Sequence, residues 1–167
     1  LPGMKAAFVD IGEDKNAFIH IKDIVPKVSS QTGNKLEEMS KYKIKDYIKQ
    51  GDTILVQIRK DEVEKKGARI TKHISLTGRL TVLEVDNPFV TLSQKIENKD
   101  ERKRLKDIAK SYISNYKNEK YGIILRTGAE GKNKEEIEND IKELIDTWQE
   151  IKKKYSEISR LKKATII

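Results

Sequence analysis

The first third of the chain alternates between apolar and polar positions, which is typical of half-buried strands. Two such runs, "AAFVDI" and "NAFIHI", predict a β-hairpin with a short loop at 13–15. Two further strands are predicted at 52–60 and 67–76. The stretch 25–50 between the two pairs is lysine-rich and weakly patterned, so we expect a long excursion with at most one short helix.

The second half of the chain adds the 3.6-residue period of amphipathic helices. A hairpin is predicted at 79–93, with its turn at "DNP", and another strand at 121–127. Asn98 and Asn133 each stand three residues before a glutamate, the signature of a helix start. The second helix is predicted to end at about 157, with Trp148 on its buried face. Four strands followed by a β-β-α-β-α unit suggest two subdomains.

Alternation along the first hairpin places two phenylalanines on the side that faces water. The aliphatic residues of both strands share one face, which must be the buried one. Phe8 and Phe18 then share the other face with Asp10 and His20, and the short loop makes Phe8 face His20. Exposed aromatic rings in a basic protein are a platform for stacking nucleic-acid bases. The alternative, that both rings pack under the 25–50 excursion or against another domain, stays open from the pattern alone.

Composition favours a polyanionic partner. The net charge is +8 and the pI about 9.4, which points to nucleic acid ahead of an acidic membrane surface. The chain has no cysteine and two histidines, His20 and His73, too few for a typical zinc site. It has neither an apolar run of the roughly 20 residues that span a membrane nor a signal peptide, so we expect a cytoplasmic location. Because it opens on "LPGM", we expect a piece of a longer protein.

The stretch "ILRTGAEGK" at 124–132 ends an apolar run on Arg126 and Thr127, just before a helix. A guanidinium fork and a hydroxyl are donors that suit a phosphate, and glycines let the backbone come close. An ordinary strand-to-helix turn with a surface ion pair explains the same letters. From the residues alone, both interpretations remain open.

Three segments together resemble the ribonuclease E/G family of bacterial endoribonucleases: "LPGMKAAFVDIGEDKNAFIHIKDI", "KKGARITKHISLTGR" and "ILRTGAEGK". The resemblance implies an α+β fold, with a small OB-type antiparallel β-barrel of the ribosomal S-one kind, truncated at its first strand, and then a mixed β-β-α-β-α subdomain. It assigns 1–73 to the RNA-binding barrel, with the insertion at about 25–50, and 74–160 to a 5′-sensor subdomain. Residues 161–167 would begin a following segment.

The resemblance also implies site residues. In the barrel, Phe8 and Phe18 match RNA-stacking phenylalanines, and Lys66 matches an RNA-contacting lysine beside a glycine. The residues themselves add His20, beside the two rings, and Arg69, a cation at the fourth strand, to the predicted RNA-binding set. In the sensor, Arg126 and Thr127 match the residues that hold a 5′-terminal monophosphate, with backbone contacts from around Gly78 and Val82. Ile11 and Gln94 depart from the family, which more often has tyrosine and arginine there, so contacts at these positions should be weaker.

The family acts in RNA processing and decay, and the resemblance implies that the parent protein is a Mg-dependent endoribonuclease and a homo-oligomer. Hydrolysis and a structural zinc link belong to segments that this chain lacks. We therefore expect no catalytic residue, metal or cofactor here, and no activity from the chain alone. The expected partner is single-stranded RNA, preferably with a 5′-monophosphate. The alternatives are an OB-type RNA-binding module that ignores the 5′ end, and a protein-interaction or assembly piece.

Overall fold

The computed structural model describes residues 3, 5–26, 41–161 and 164–167. The chain divides into two compact units, which we call the first unit (Leu1–His73 with Lys154–Ile167) and the second unit (Ile74–Lys153). Two four-stranded sheets organise them. Within the described ranges, no helix is both long and apolar enough to cross a membrane.

The first unit is built on strands β1 (Ala6–Val9), β2 (Ala17–His20), β3 (Gln57–Lys60) and β4 (Arg69–Thr71). Their order in the sheet is β1-β2-β4-β3. The β1–β2 and β3–β4 pairs are antiparallel, as predicted for the barrel, but β2 and β4 run parallel, so the prediction of an antiparallel sheet is wrong for this pair. Parallel neighbours require a long connection, and the chain between β2 and β4, which includes β3, supplies it. The core of this unit is formed by Ala17, Ile19, Ile21, Ile24, Val25, Ile44, Ala68 and Ile70.

The register of the first hairpin differs from the prediction. Phe8 lies directly opposite Phe18, and His20 lies opposite Ala6 rather than Phe8. The ladder ends at the Val9–Ala17 pair, so the connection is 10–16 and not 13–15. The Asp10 carboxylate accepts the N–H of Gly12 at 2.8 Å, which bends the chain as soon as β1 ends.

Two predicted strands have different bounds. The strand expected at 52–60 begins only at Gln57, and the one expected at 67–76 is two strands, β4 and β5 (Ser75–Thr77), in different sheets. At the break, the Thr71 hydroxyl donates to the carbonyl of Asp23 at 3.3 Å and accepts the His73 N–H at 3.0 Å. These side-chain bonds compete with the ladder and end it. The second half is therefore β-β-β-α-β-α.

Most of the predicted excursion at 25–50 lies outside the described residues. The described part contains a 3-10 turn at Ile44–Asp46, with Ile44 buried in the core of the first unit. A further 3-10 turn, Ile21–Asp23, directly follows β2.

The second unit adds β6 (Thr81–Glu84), β7 (Val90–Leu92), β8 (Gly122–Leu125) and helix α1 (Lys99–Ile113); helix α2 spans Lys134–Ile158. The sheet order is β5-β6-β8-β7. The hairpin predicted at 79–93 is wrong, because β8 lies between β6 and β7, antiparallel to one and parallel to the other. Ile123 and Leu125 share one face of this central strand and are fully buried, whereas Ile124 on the other face is half-buried.

Both helix starts are confirmed. The Asn98 side chain accepts the Glu101 N–H at 2.9 Å, and the Asn133 side chain accepts the Glu136 N–H at 2.8 Å. The predicted buried face of α2 is also confirmed. Its buried apolar members are Ile137, Ile141, Leu144, Ile145 and Trp148.

Candidate nucleic-acid interface

An aromatic and basic row crosses the first sheet. The register places Phe8, Phe18 and Arg69 side by side on β1, β2 and β4. The two rings pack edge to face with centroids 6.1 Å apart, and Phe8 is 59% exposed. Their face of the sheet is opposite the core, because their neighbours along β2 and β4 are the buried ones. The face therefore presents an aromatic pair to solvent with a cation beside it.

His20 follows Phe18 on the same face of β2. Its Nδ1 accepts the N–H of Lys22 at 3.2 Å, which fixes the orientation of the ring. Partial burial lowers the pKa of His20 below its usual 6.5, and the positive charge of Lys22 lowers it further. The neutral imidazole is therefore favoured, and His20 offers a flat ring rather than a charge.

Arg69 is held by a buried carboxylate that sequence reasoning missed. Asp23 accepts from Arg59 Nη1 at 3.2 Å and from Arg69 Nη2 at 3.3 Å, and its side chain is almost fully buried. A lone aspartate in "HIKDI" carries no sequence signal for this role. Arg69 thus reaches the aromatic row already engaged in an ion pair.

Lys66 lies outside the strands that carry this row, in the turn between β3 and β4. Its side chain is exposed, and its backbone exchanges hydrogen bonds with Val63 at 2.8 and 3.1 Å. A Cβ on the next residue, Gly67, would overlap the carbonyl oxygen of Asn16. The glycine beside the lysine is therefore required by packing, independently of any contact with RNA.

An open cavity of about 480 Å³ lies in the second unit, at the β5–β6 turn. Arg126, at the end of β8, donates from its guanidinium to the carbonyl of Gly78 and from its N–H to the carbonyl of Leu80 at 2.8 Å. Sequence reasoning missed Arg79, an exposed second guanidinium at this cavity. The lining residues are Thr77, Gly78, Arg79, Arg126, Asp140, Glu143, Leu144 and Thr147.

The other two predicted phosphate residues do not line this cavity. Thr127 lies with its hydroxyl oxygen 2.8 Å from that of Ser93, which directly follows β7. Val82 is half-buried in β6, between Thr77 of β5 and Ile124 of β8. The structure therefore brings Arg126 and Gly78 together and leaves Thr127 and Val82 on neighbouring elements.

Arg102 supports the Thr127 side of the site. Its Nη1 donates to the carbonyls of Ser93 at 2.9 Å and Ile96 at 2.7 Å, fixing the turn that carries the Ser93 hydroxyl. Sequence reasoning missed this role as well. The sequence of a charged helix does not show whether a basic side chain is solvated or hydrogen-bonded to a neighbouring turn. Gln94, the departure from the family, is exposed in this turn.

The remaining departure, Ile11, packs against the core of the first unit and is half-buried. It is therefore not available as an open stacking surface. The described residues also include no group of three or more histidine, aspartate or glutamate side chains that could hold a metal ion.

Comparisons with known proteins match both units. Residues 75–167 match the ribonuclease E/G family, and residues 4–73 match the S1 RNA binding domain. The chain is 39% identical over 151 residues to "Ribonuclease G" of Salmonella typhimurium and of Escherichia coli, covering 90% of this chain and 30% of each relative. It is 36% identical over 152 residues to "Ribonuclease E" of Nostoc sp., covering 90% of this chain and 20% of that relative. The chain thus spans about a third or less of the curated relatives it matches, and it belongs to the ribonuclease E/G family.

Proposed function

We propose that the chain binds single-stranded RNA through the first unit and recognises a 5′-monophosphate through the second, as the regulatory part of an endoribonuclease of RNA processing and decay. The observation that carries the proposal is the cavity of the second unit. There the guanidinium of Arg126 donates a hydrogen bond to the carbonyl of Gly78, and Arg79 lines the same cavity. Membership of the ribonuclease E/G family supports it.

The cavity has the right donors for a terminal phosphate. A phosphomonoester carries about −1.5 to −2 charge near neutral pH, whereas a 5′-hydroxyl carries none. Guanidinium groups bind such oxygens through paired, charge-assisted hydrogen bonds. Among the described residues, neither Arg79 nor Arg126 forms an ion pair with a carboxylate. Both guanidinium groups are therefore available to pair with an anion that enters from solvent.

Thr127 and Ser93 would extend this contact. Two hydroxyl groups that share one hydrogen bond still have one O–H to donate. That donor lies at the end of β7, next to the end of β8 from which Arg126 projects. We assign Thr127 a secondary role, as a donor to the phosphate or to the nucleotide that follows it.

The first unit would supply affinity without regard to the 5′ end. Stacking of a base on an aromatic side chain contributes about 1–3 kcal/mol and accepts every base. The exposed ring of Phe8, supported edge-on by Phe18, is the proposed platform. His20 widens it and Lys66 would meet phosphates, whereas the charge of Arg69 is already balanced by Asp23 and would add less.

Phosphodiester hydrolysis, Mg²⁺ and zinc binding, subunit association and a cytoplasmic location are proposed for the whole parent protein. We assign no catalytic residue to this chain. Its contribution would be to hold the substrate in place for a distant reaction centre, which removes part of the entropic cost of the reaction.

The test compares fluorescent oligonucleotides of one sequence that end in a 5′-monophosphate or a 5′-hydroxyl. We expect the chain to prefer the monophosphate, and Arg126→Ala to lose about tenfold in affinity for it, since hydrogen bonds to charged groups contribute roughly 1.5–3 kcal/mol. Phe8→Ala is the control, because it should weaken both oligonucleotides by the same factor. Equal affinity of the unmodified chain for both ends would contradict 5′-end recognition and favour a general RNA-binding module.

A further inference from the structure

The β5–β6 turn is held by a carboxylate from helix α2. Asp140 is buried, and its Oδ1 accepts the N–H of Arg79 at 3.1 Å. Its Oδ2 accepts the N–H of Leu80 at 3.2 Å, the N–H of Thr81 at 2.9 Å and the Thr81 hydroxyl at 2.6 Å. One carboxylate thus satisfies three consecutive backbone donors about 60 residues away in sequence, which is the geometry of an anion in a backbone nest.

The turn is shaped to admit this carboxylate. A Cβ on Gly78 would lie 2.6 Å from Oδ2 of Asp140, so any side chain there would push the carboxylate out. With Asp140 in place, the carbonyl of Gly78 receives the guanidinium of Arg126, and Arg79 stands at the same cavity. A continuous set of contacts therefore runs from Asp140, through the turn, to both arginines.

We propose that Asp140 is the positioning residue of the 5′-phosphate pocket, an inference that rests on the proposed function. It is not a phosphate ligand, since two anions repel each other. By occupying the N–H groups of the turn it fixes the Gly78 carbonyl, which orients Arg126, and it leaves the guanidinium groups to bind the ligand. The backbone near Gly78 then contributes to phosphate binding mainly indirectly, because its carbonyl orients Arg126.

The sign of the effect separates positioning from simple electrostatics. If Asp140 acted only through its charge, neutralising it would strengthen the binding of an anion. If it acts by holding the turn, neutralising it weakens binding, because the turn and Arg126 lose their fixed geometry.

The test measures the ratio of affinities for 5′-monophosphate and 5′-hydroxyl oligonucleotides in four variants of the full chain. Asp140→Asn removes the charge with little change of shape. Thr81→Val keeps the carboxylate but removes its shortest hydrogen bond. Asp146→Asn is the matched control, because it removes the same charge from an exposed position of the same helix, where the carboxylate is paired with Lys142. Thr81→Ser, which restores a hydroxyl, tests for rescue.

We expect the ratio to fall about three- to tenfold in Asp140→Asn and Thr81→Val, as suits the loss of buried hydrogen bonds to a charged group. The affinity for the 5′-hydroxyl oligonucleotide should not change, and Asp146→Asn and Thr81→Ser should keep the ratio. An unchanged or higher ratio in Asp140→Asn overturns the inference. If that variant does not fold, as judged by circular dichroism, Thr81→Val decides. A ratio of one in the unmodified chain would instead refute the proposed function.

Discussion

Each unit contains a buried carboxylate, and the two are satisfied in different ways. Asp23 of the first unit is neutralised by the guanidinium groups of Arg59 and Arg69. Asp140 of the second unit is satisfied by backbone N–H groups and a hydroxyl. Both solutions avoid the large cost of leaving a buried charge without partners.

The difference decides which cations remain for a ligand. Arginines that neutralise a buried carboxylate are committed to the fold, whereas a carboxylate bound by backbone amides leaves nearby arginines uncommitted. Arg69 belongs to the first kind, and Arg79 and Arg126 to the second. The net charge of +8 counts both kinds equally, so it overstates what is offered to RNA.

The largest expected effect comes from removing the charge of Asp23. Asp23→Asn leaves two guanidinium groups without their counter-charge, and we expect the free energy of unfolding to fall by about 1–3 kcal/mol, less than for a fully buried pair because both arginines are partly exposed. Urea unfolding followed by circular dichroism measures it. Asp46→Asn, an exposed control in the same unit, should stay within about 0.5 kcal/mol of the unmodified chain. Equal effects of the two substitutions would show that Asp23 contributes no more to stability than an exposed aspartate.

A pair of arginine substitutions sharpens the comparison at intermediate size. Arg69→Gln should lower stability by about 1 kcal/mol, since it removes one partner of a buried carboxylate. Arg79→Gln should leave stability within about 0.5 kcal/mol, since the side chain is exposed, yet reduce the preference for a 5′-monophosphate severalfold. Unfolding curves and the two-oligonucleotide assay measure the two properties. A larger loss of stability in Arg79→Gln than in Arg69→Gln would contradict the distinction between the two kinds of arginine.

The smallest expected effect concerns His20, whose pKa is lowered first by burial and then by Lys22, while Asp23 raises it. A histidine with a lowered pKa in the folded state stays neutral while the unfolded chain takes up a proton. Stability is therefore lost as the pH falls from about 6.5 towards the folded pKa, and it is fully present above 6.5. Titration of the ring by NMR should give a midpoint below 6.5, and a lower one still in Asp23→Asn. A midpoint at or above 6.5 would contradict this environment.

Local features of the fold could be predicted from the sequence, because their causes are local. The caps at Asn98 and Asn133 depend on residues three positions away, and the buried face of α2 depends on its own spacing. The exposed side of β2 follows from alternation in the same way. The register of the first hairpin escaped prediction, because a side-chain bond of Asp10 ends β1.

The candidate site could be predicted only in part, because it is assembled from distant segments. Arg126 was identified through the family motif, but its cavity also needs the turn at Gly78 and Arg79 and the carboxylate of Asp140. No pattern within any one of these segments indicates the others. The insertion of β8 between β6 and β7, which brings Arg126 to that turn, is likewise a long-range pairing.

Trp148 offers an optical readout of this architecture. It is the single tryptophan of the chain, it is buried in α2, and it directly follows Thr147, which lines the cavity. Its fluorescence therefore originates in the second unit, one position along α2 from a residue that lines the proposed phosphate site. Occupancy of that site could be followed without a label, as a change in the fluorescence of this one residue, and compared with the total binding of RNA to the chain.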